Sequence, residues 1–217
     1  MPGKLTYFKA GGLVEGTRAM MAHANFEYED NRIDPPDVPG VLAAANGASS
    51  LPMWSEDGLD TDQSSAVLRM LGIRLGYYTE DPVTAWEIDS LIDFNSSCHH
   101  PFVAYVTPFI LKQVLPDESK ADEWVANTFG KVCPVYEKRL AGHGKRFLAG
   151  DKLSIADFKC FGHWIGYTDL NLATPIQAET LAKVAQCVVK YPNVCKWVET
   201  MKQELANYLP KRVPTPM

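Results

Sequence analysis

No stretch of this chain is apolar for long enough to cross a bilayer, and the first dozen residues, MPGKLTYFKAGG, lack the apolar core of a secretory leader. Basic residues are outnumbered: 21 Lys and Arg stand against 26 Asp and Glu, a net charge of −5. With no basic stripe, that balance argues against a protein that tracks phosphate backbones. Cysteine is scarce and unpaired in pattern. Cys98, Cys133, Cys160, Cys187 and Cys195 are odd in number and widely spaced, with no C-x-x-C. This usage fits reduced thiols in a cytoplasmic protein, serving mostly as small core residues. Internal repeats and low-complexity tracts are also missing. What is present is an apolar fraction of 46%, that of an ordinary globular protein, over a length sufficient for one large or two modest domains.

Read in order, Lys4 to Phe8 is a short strand ending in Tyr7 and Phe8, broken by Gly11-Gly12. A helix is expected from about Val14 to Asn25, and a second strand over Phe26–Glu29. A strand, helix, strand order with so short a crossover implies a parallel pair. The loop from Asp34 to Ser50 is rich in Pro, Gly and Ala, with at most a short helix at Val41–Ala45. Leu51-Pro52 then opens a short apolar strand, where a proline suits an edge or a turn. Glu56-Asp57-Gly58 reads as a hairpin turn, and Asp62-Gln63-Ser64-Ser65 precedes a helix with Val67, Met70, Leu71 and Leu75 on one face. A polar cluster at a helix N-terminus, where backbone N–H groups are unpaired, suits a carboxylate. The same serines serve equally as N-caps.

Beyond a linker at Tyr78–Pro82, helical faces recur: Ala85, Ile88 and Ile92; Val125, Phe129, Val132 and Tyr136; Leu181, Val184, Ala185 and Val188; Val194, Trp197, Val198 and Met201. About five helices are expected there. Within them, Gly150-Asp-Lys-Leu-Ser154-Ile-Ala-Asp157-Phe158 carries the Ser-x-x-Asp of a capping box before an apolar run.

Proline-led strand, Asp-Gly turn and Gln-Ser helix start, in that order, resemble the glutathione-binding half of cytosolic glutathione transferases. The Gly-Asp-x-Leu-Ser-x-Ala-Asp-Phe string and Tyr191-Pro192-Asn193 resemble that family's second domain. The resemblance implies an α/β thioredoxin-like N-terminal domain (βαβ-ββα) over residues 1–78 and an all-α C-terminal domain over 82–217. It further implies a tyrosine-type enzyme that takes glutathione as co-substrate, with no tightly bound cofactor. Tyr7 would donate a hydrogen bond to the glutathione thiolate; a half-buried strand tyrosine is the plainer alternative. Glutathione would be held by Phe8, Leu13, Ser50, Leu51, Pro52, Gln63 and Ser64, with Lys9 and Arg32 for its glycyl carboxylate. A hydrophobic electrophile would sit among Phe8, His100, Tyr105, Trp164 and Tyr208. Arg69 resembles an arginine that meets its twin across a homodimer axis. His99-His100 does not read as a metal site, since adjacent helical residues diverge and no third ligand is near.

The chain also departs from the family's pattern. No Trp, Lys or Arg lies between Ile33 and Ser50 to meet the glycyl carboxylate, and the loop after Tyr7 lacks an arginine. Ser96-Ser97, with Asp93 one turn earlier, occupies the place of a partner subunit's acidic residue. Ala48 or Ser49 stands where an aromatic interface key is common. Three other readings therefore stay open: a glutathione-dependent isomerase, a non-catalytic binding or structural protein of this fold, and a thioredoxin-like redox protein. The last is disfavoured because no cysteine lies near the first strand-helix turn.

Overall fold

A computed structural model describes residues 2–112, 117–142, 145–168 and 178–213, without the side chains of 105–112 and 118. Its first part holds a four-stranded mixed sheet. Strand β1 (Lys4–Phe8) leads through a 3-10 turn (Gly12–Val14) into helix α1 (Glu15–His23) and strand β2 (Glu29–Ile33). A short helix α2 (Val38–Ala44) precedes strands β3 (Met53–Glu56) and β4 (Leu59–Asp62) and helix α3 (Ser64–Leu75). The sheet order is β2-β1-β3-β4, with β1 parallel to β2 and antiparallel to β3. At the hairpin, Asp57 and Gly58 both take positive φ (51° and 80°), the two-residue turn whose twist matches its strands, and Glu56 pairs with Leu59.

Two boundaries differ from the sequence reading. The second strand is Glu29–Ile33 rather than Phe26–Glu29. Phe26 and Tyr28 lean on Trp54, ring centroids 6.3 Å away in each case, while ladder pairing begins where the Glu29 N–H reaches the Gly3 carbonyl at 2.9 Å. As an edge strand with only Ile33 buried, it tolerates the polar run Glu-Asp-Asn-Arg. The helix expected at Val41–Ala45 starts earlier, at Val38, because Asp34 and Asp37 form a capping box around Pro35-Pro36.

The remaining described helices are α4 (Pro82–Lys112), α5 (Ala121–Ala141), α6 (Ile155–Thr168), α7 (Ala178–Val188) and α8 (Pro192–Glu204). They form a largely helical C-terminal domain around α6, which is buried from Ile155 through Ile165. Its start is fixed by Asp157, fully buried, which accepts from the backbone of Leu148 (2.9 Å) and Ser154 (3.1 Å), the Ser154 hydroxyl (3.0 Å) and the Trp197 indole (2.9 Å). The Ile155 N–H donates to the Tyr77 carbonyl at 3.0 Å, joining α6 to the end of the sheet-containing part. Helix α6 then crosses α1 at Gly16 and Gly162. An added Cβ on Gly16 would lie 2.5 Å from the Phe158 carbonyl oxygen, and one on Gly162 would lie 2.5 Å from the Gly16 nitrogen. Only hydrogen fits between these backbones.

Candidate active site

The C-terminal end of β1 brings Tyr7 to the turn that precedes α1. Its side chain is buried, and a Cβ on Gly12 would stand 3.0 Å from the phenolic oxygen. Gly12 also has φ +41°, so glycine alone suits both the backbone and the close approach. Burial pushes the phenol pKa up, while the Leu13 backbone N–H and the nearby Arg18 charge pull it back. A raised pKa keeps Tyr7 protonated at neutral pH, which makes it a hydrogen-bond donor rather than a base. Phe8 is half-buried and meets the Tyr7 ring edge-on, centroids 5.1 Å apart.

Arg18, 1% exposed, holds the turn from behind. Its guanidinium donates to the Ala10 carbonyl (2.5 Å) and to Asp30 Oδ1 (3.0 and 3.1 Å). Beside it Glu15 is likewise buried, accepting from the Tyr208 hydroxyl at 2.9 Å and from Arg212. Neither Arg18 nor Glu15 is among the residues expected at the site from the sequence. A charge interrupting the apolar face of a short helix was the available signal.

A second polar group forms at the start of α3. The Leu51-Pro52 peptide bond is cis, and Gln63 caps the helix at φ +69°, sparsely populated for a residue with a side chain. Gln63 Nε2 donates to Ser50 Oγ at 3.3 Å, and Ser50 Oγ donates to Asp62 Oδ2 at 2.9 Å. The Ser49 backbone and hydroxyl reach the same oxygen at 2.8 and 3.0 Å. The Ser49 amide, then the Ser50 hydroxyl, hold the Asp62 carboxyl below its usual range. Lys159 of α6 joins this group to the tyrosine turn. Its Nζ donates to the Leu13 carbonyl at 3.3 Å and to the Ser64 hydroxyl oxygen at 3.4 Å. The only sequence sign of Lys159 is a lone lysine inside the apolar run Ile155-Ala-Asp-Phe-Lys-Cys-Phe.

The structure therefore brings Phe8 and Leu13 to Tyr7 and Ser50 to Gln63, and Lys159 links Leu13 to Ser64. Both cations expected near the glycyl carboxylate have acidic partners. Lys9 pairs with Asp34 at 2.5 Å in an exposed ion pair, and Arg32 with Asp30 at 2.8 Å. No described hydrogen bond or ring contact joins Phe8, His100, Trp164 and Tyr208 to one another. His100 is exposed. Trp164 is buried, edge-on to Phe129 at 5.2 Å. The side chain of Tyr105 lies outside the described set.

Elsewhere, Arg69 pairs within the chain, to Asp89 at 2.9 Å, and the Tyr78 hydroxyl reaches the same carboxylate at 2.8 Å. His99 stacks on His163 with ring centroids 3.9 Å apart, deep in the helical domain. Among the described residues no group of three His, Cys, Asp or Glu is arranged to hold a metal. None of the helices among them is long and apolar enough to cross a membrane. Burial pushes the Cys98 thiol up and the Cys160 thiol up to about 12, so neither is a reactive thiolate at neutral pH.

Residues 96–204 match the family model described as "Glutathione S-transferase, C-terminal domain". The chain is 29% identical over 204 residues to glutathione S-transferase 1 of Ascaris suum, covering 90% of this chain and 94% of the relative. It is 26% identical over 211 residues to glutathione S-transferase alpha-2 of Rattus norvegicus, covering 94% and 91%. Its fold is similar to the crystal structure of the glutathione S-transferase from Ascaris lumbricoides, with a TM-score of 0.81 over the whole of both chains at 24% identity.

Proposed function

The chain belongs to the glutathione S-transferase family, and on that premise we propose that it conjugates glutathione to hydrophobic electrophiles, with Tyr7 as the catalytic residue. The thiol gives its proton to solvent, and the Tyr7 hydroxyl donates a hydrogen bond to the sulfur anion, which favours the charged form. The thiolate then attacks the electrophilic carbon. A carbon–sulfur bond forms as the leaving group departs with its electron pair. The observation that supports this most is the setting of the Tyr7 hydroxyl. It is buried against Gly12, its oxygen faces the Leu13 N–H, and its pKa is raised, so its own proton stays available to a ligand.

In this reading the Leu51 backbone beside Pro52 pairs with the cysteinyl part of glutathione as a short added strand. Gln63 and Ser64 hold the γ-glutamyl carboxylate, with Ser50 supporting Gln63. Lys9 is the readier of the two cations for the glycyl carboxylate, because its ion pair with Asp34 is exposed and solvent-screened. Phe8 walls the electrophile site, and His100, Tyr105, Trp164 and Tyr208 remain its expected surroundings. The same proposal includes a domain division between residues 78 and 82, a homodimer with Arg69 near its axis, a cytoplasmic location and no tightly bound cofactor.

The test is the rate of conjugation to a generic aryl halide, with Tyr7→Phe run beside the parent. Loss of one hydrogen bond to a charged sulfur should lower the rate roughly tenfold to a hundredfold. An undiminished rate would remove Tyr7 from the role. The engagement of both Lys9 and Arg32 favours a second reading, a non-catalytic binding protein. Glutathione binding without any rate above background would select it.

A further inference from the structure

Lys159 is 2% exposed, yet no carboxylate is its partner among the described residues. An ammonium has three protons to place. Here two go to neutral oxygens at long distance, the Leu13 carbonyl and the Ser64 hydroxyl. A buried cation answered this weakly is costly to the fold. The acidic groups nearby are committed elsewhere, Glu15 to Tyr208 and Arg212 and Asp62 to Ser49 and Ser50. Ser64 also opens α3, where the helix dipole is positive. Two sources of positive potential thus meet at Ser64, and among the described residues no carboxylate pairs with the ammonium there.

We infer that Lys159 is a positioning residue for glutathione, orienting Ser64 toward the γ-glutamyl carboxylate and fixing Leu13 behind Tyr7. This rests on the function proposed above and adds to it a residue from the helical domain. The geometry carries the argument. Because Ser64 Oγ accepts from Lys159, its own proton is free to donate to a ligand carboxylate. Because the Leu13 carbonyl is held by Lys159, the Leu13 N–H stays fixed against the Tyr7 oxygen. One ammonium therefore sets the direction of two hydroxyl donors, one for the carboxylate and one for the sulfur. Burial lowers the Lys159 pKa to about 8, so it is charged at neutral pH and loses that charge just above. The titratable groups around it are Cys160 on its own helix, His99 and His163, both held neutral by burial, Glu15 of α1, engaged by Tyr208 and Arg212, and Asp62 before α3, engaged by Ser49 and Ser50.

The plainer alternative is a staple that only ties α6 to the sheet-containing part. Lys159→Met keeps the bulk and removes the charge, and separates the two. Calorimetry with glutathione should show affinity about tenfold weaker, the order expected for a hydrogen-bonded charge. The KM for an aryl halide should stay within twofold, and the melting temperature should be unchanged or higher. Parent affinity for S-methylglutathione, whose sulfur cannot titrate, should fall more steeply between pH 7 and 9.5 than that of the variant. Added to Ser64→Ala, Lys159→Met should weaken binding by less than a further twofold. Parent-like binding by Lys159→Met, or a full tenfold effect on top of Ser64→Ala, would overturn the inference. If Lys159→Met does not fold, Lys159→Gln takes its place, and failure of both to fold establishes the staple instead. A parent that binds no glutathione would defeat the functional reading itself, a different result from a parent that binds and a variant that binds equally well.

Discussion

Gly162→Ala sets two physical effects against each other, and the structure decides the sign. Gly162 lies inside α6, where replacing glycine by alanine should by helix propensity stabilise by about 1 kcal/mol. The new Cβ, however, would stand 2.5 Å from the Gly16 nitrogen, 2.9 Å from its Cα and 3.2 Å from the Glu15 carbonyl carbon. All three are backbone atoms of α1, so no side chain can turn aside. Ordinary contact requires the two helices to separate by roughly 1 Å, and overpacking of a close-packed interior costs about 1–3 kcal/mol or more. The buried neighbourhood of this crossing offers no slack, which puts the cost at the upper end, about 2–3 kcal/mol, and the net effect at a loss of about 1–2 kcal/mol. Urea unfolding of parent and variant, followed by far-UV circular dichroism, measures it as a lower midpoint. Because Lys159 lies one turn before Gly162, glutathione affinity should weaken in the same variant. A midpoint equal to or above the parent's would refute the close crossing and the positioning argument built on α6.

Two further outcomes follow from the polar groups. Gln63→Gly should raise stability by about 1 kcal/mol, since only glycine takes a φ of +69° without cost, while weakening glutathione binding through loss of the side chain; thermal melts and calorimetry on the same samples check the opposite signs. Acid should destabilise the helical domain through His99 and His163. Burial lowers the first from 6.5 to about 3 and the second well below its usual value, so both stay neutral in the fold at pH 5. The unfolded chain binds more protons below pH 6.5, so stability falls as pH drops from there toward 3, by roughly 2 kcal/mol per histidine at pH 5. His163, whose two ring nitrogens have no hydrogen-bond partner among the described residues, is the one to replace. Urea midpoints at pH 7.5 and 5 should differ less in His163→Leu than in the parent, and equal slopes would remove histidine as the cause.

The parts of the fold that could be read from the sequence are those set by short-range bonding. Asp57-Gly58 makes its hairpin because both residues tolerate positive φ. Ser154-x-x-Asp157 starts α6 because the carboxylate reaches backbone groups three residues back. The position of Tyr7 near the end of the first strand is legible because Gly11-Gly12 break the pattern soon after it. The start of β2 is not legible locally, because Phe26 and Tyr28 have strand-like side chains whereas ladder pairing is chosen by Gly3 and Lys4 at the start of β1. Local apolarity carries no information about that register.

The sequence by itself determined the mixed sheet, the helical half and the polar start of α3, since each depends on dihedral preference, periodicity and caps within a few residues. Only the tertiary structure decided which charges meet. Lys159 reaches Leu13 across 146 residues and Ser64 across 95, and Tyr208 reaches Glu15 across 193. Such pairs are absent from any local pattern. They arise because glycine at positions 16 and 162 lets α1 and α6 cross backbone to backbone, which carries a buried lysine up to the turn behind Tyr7.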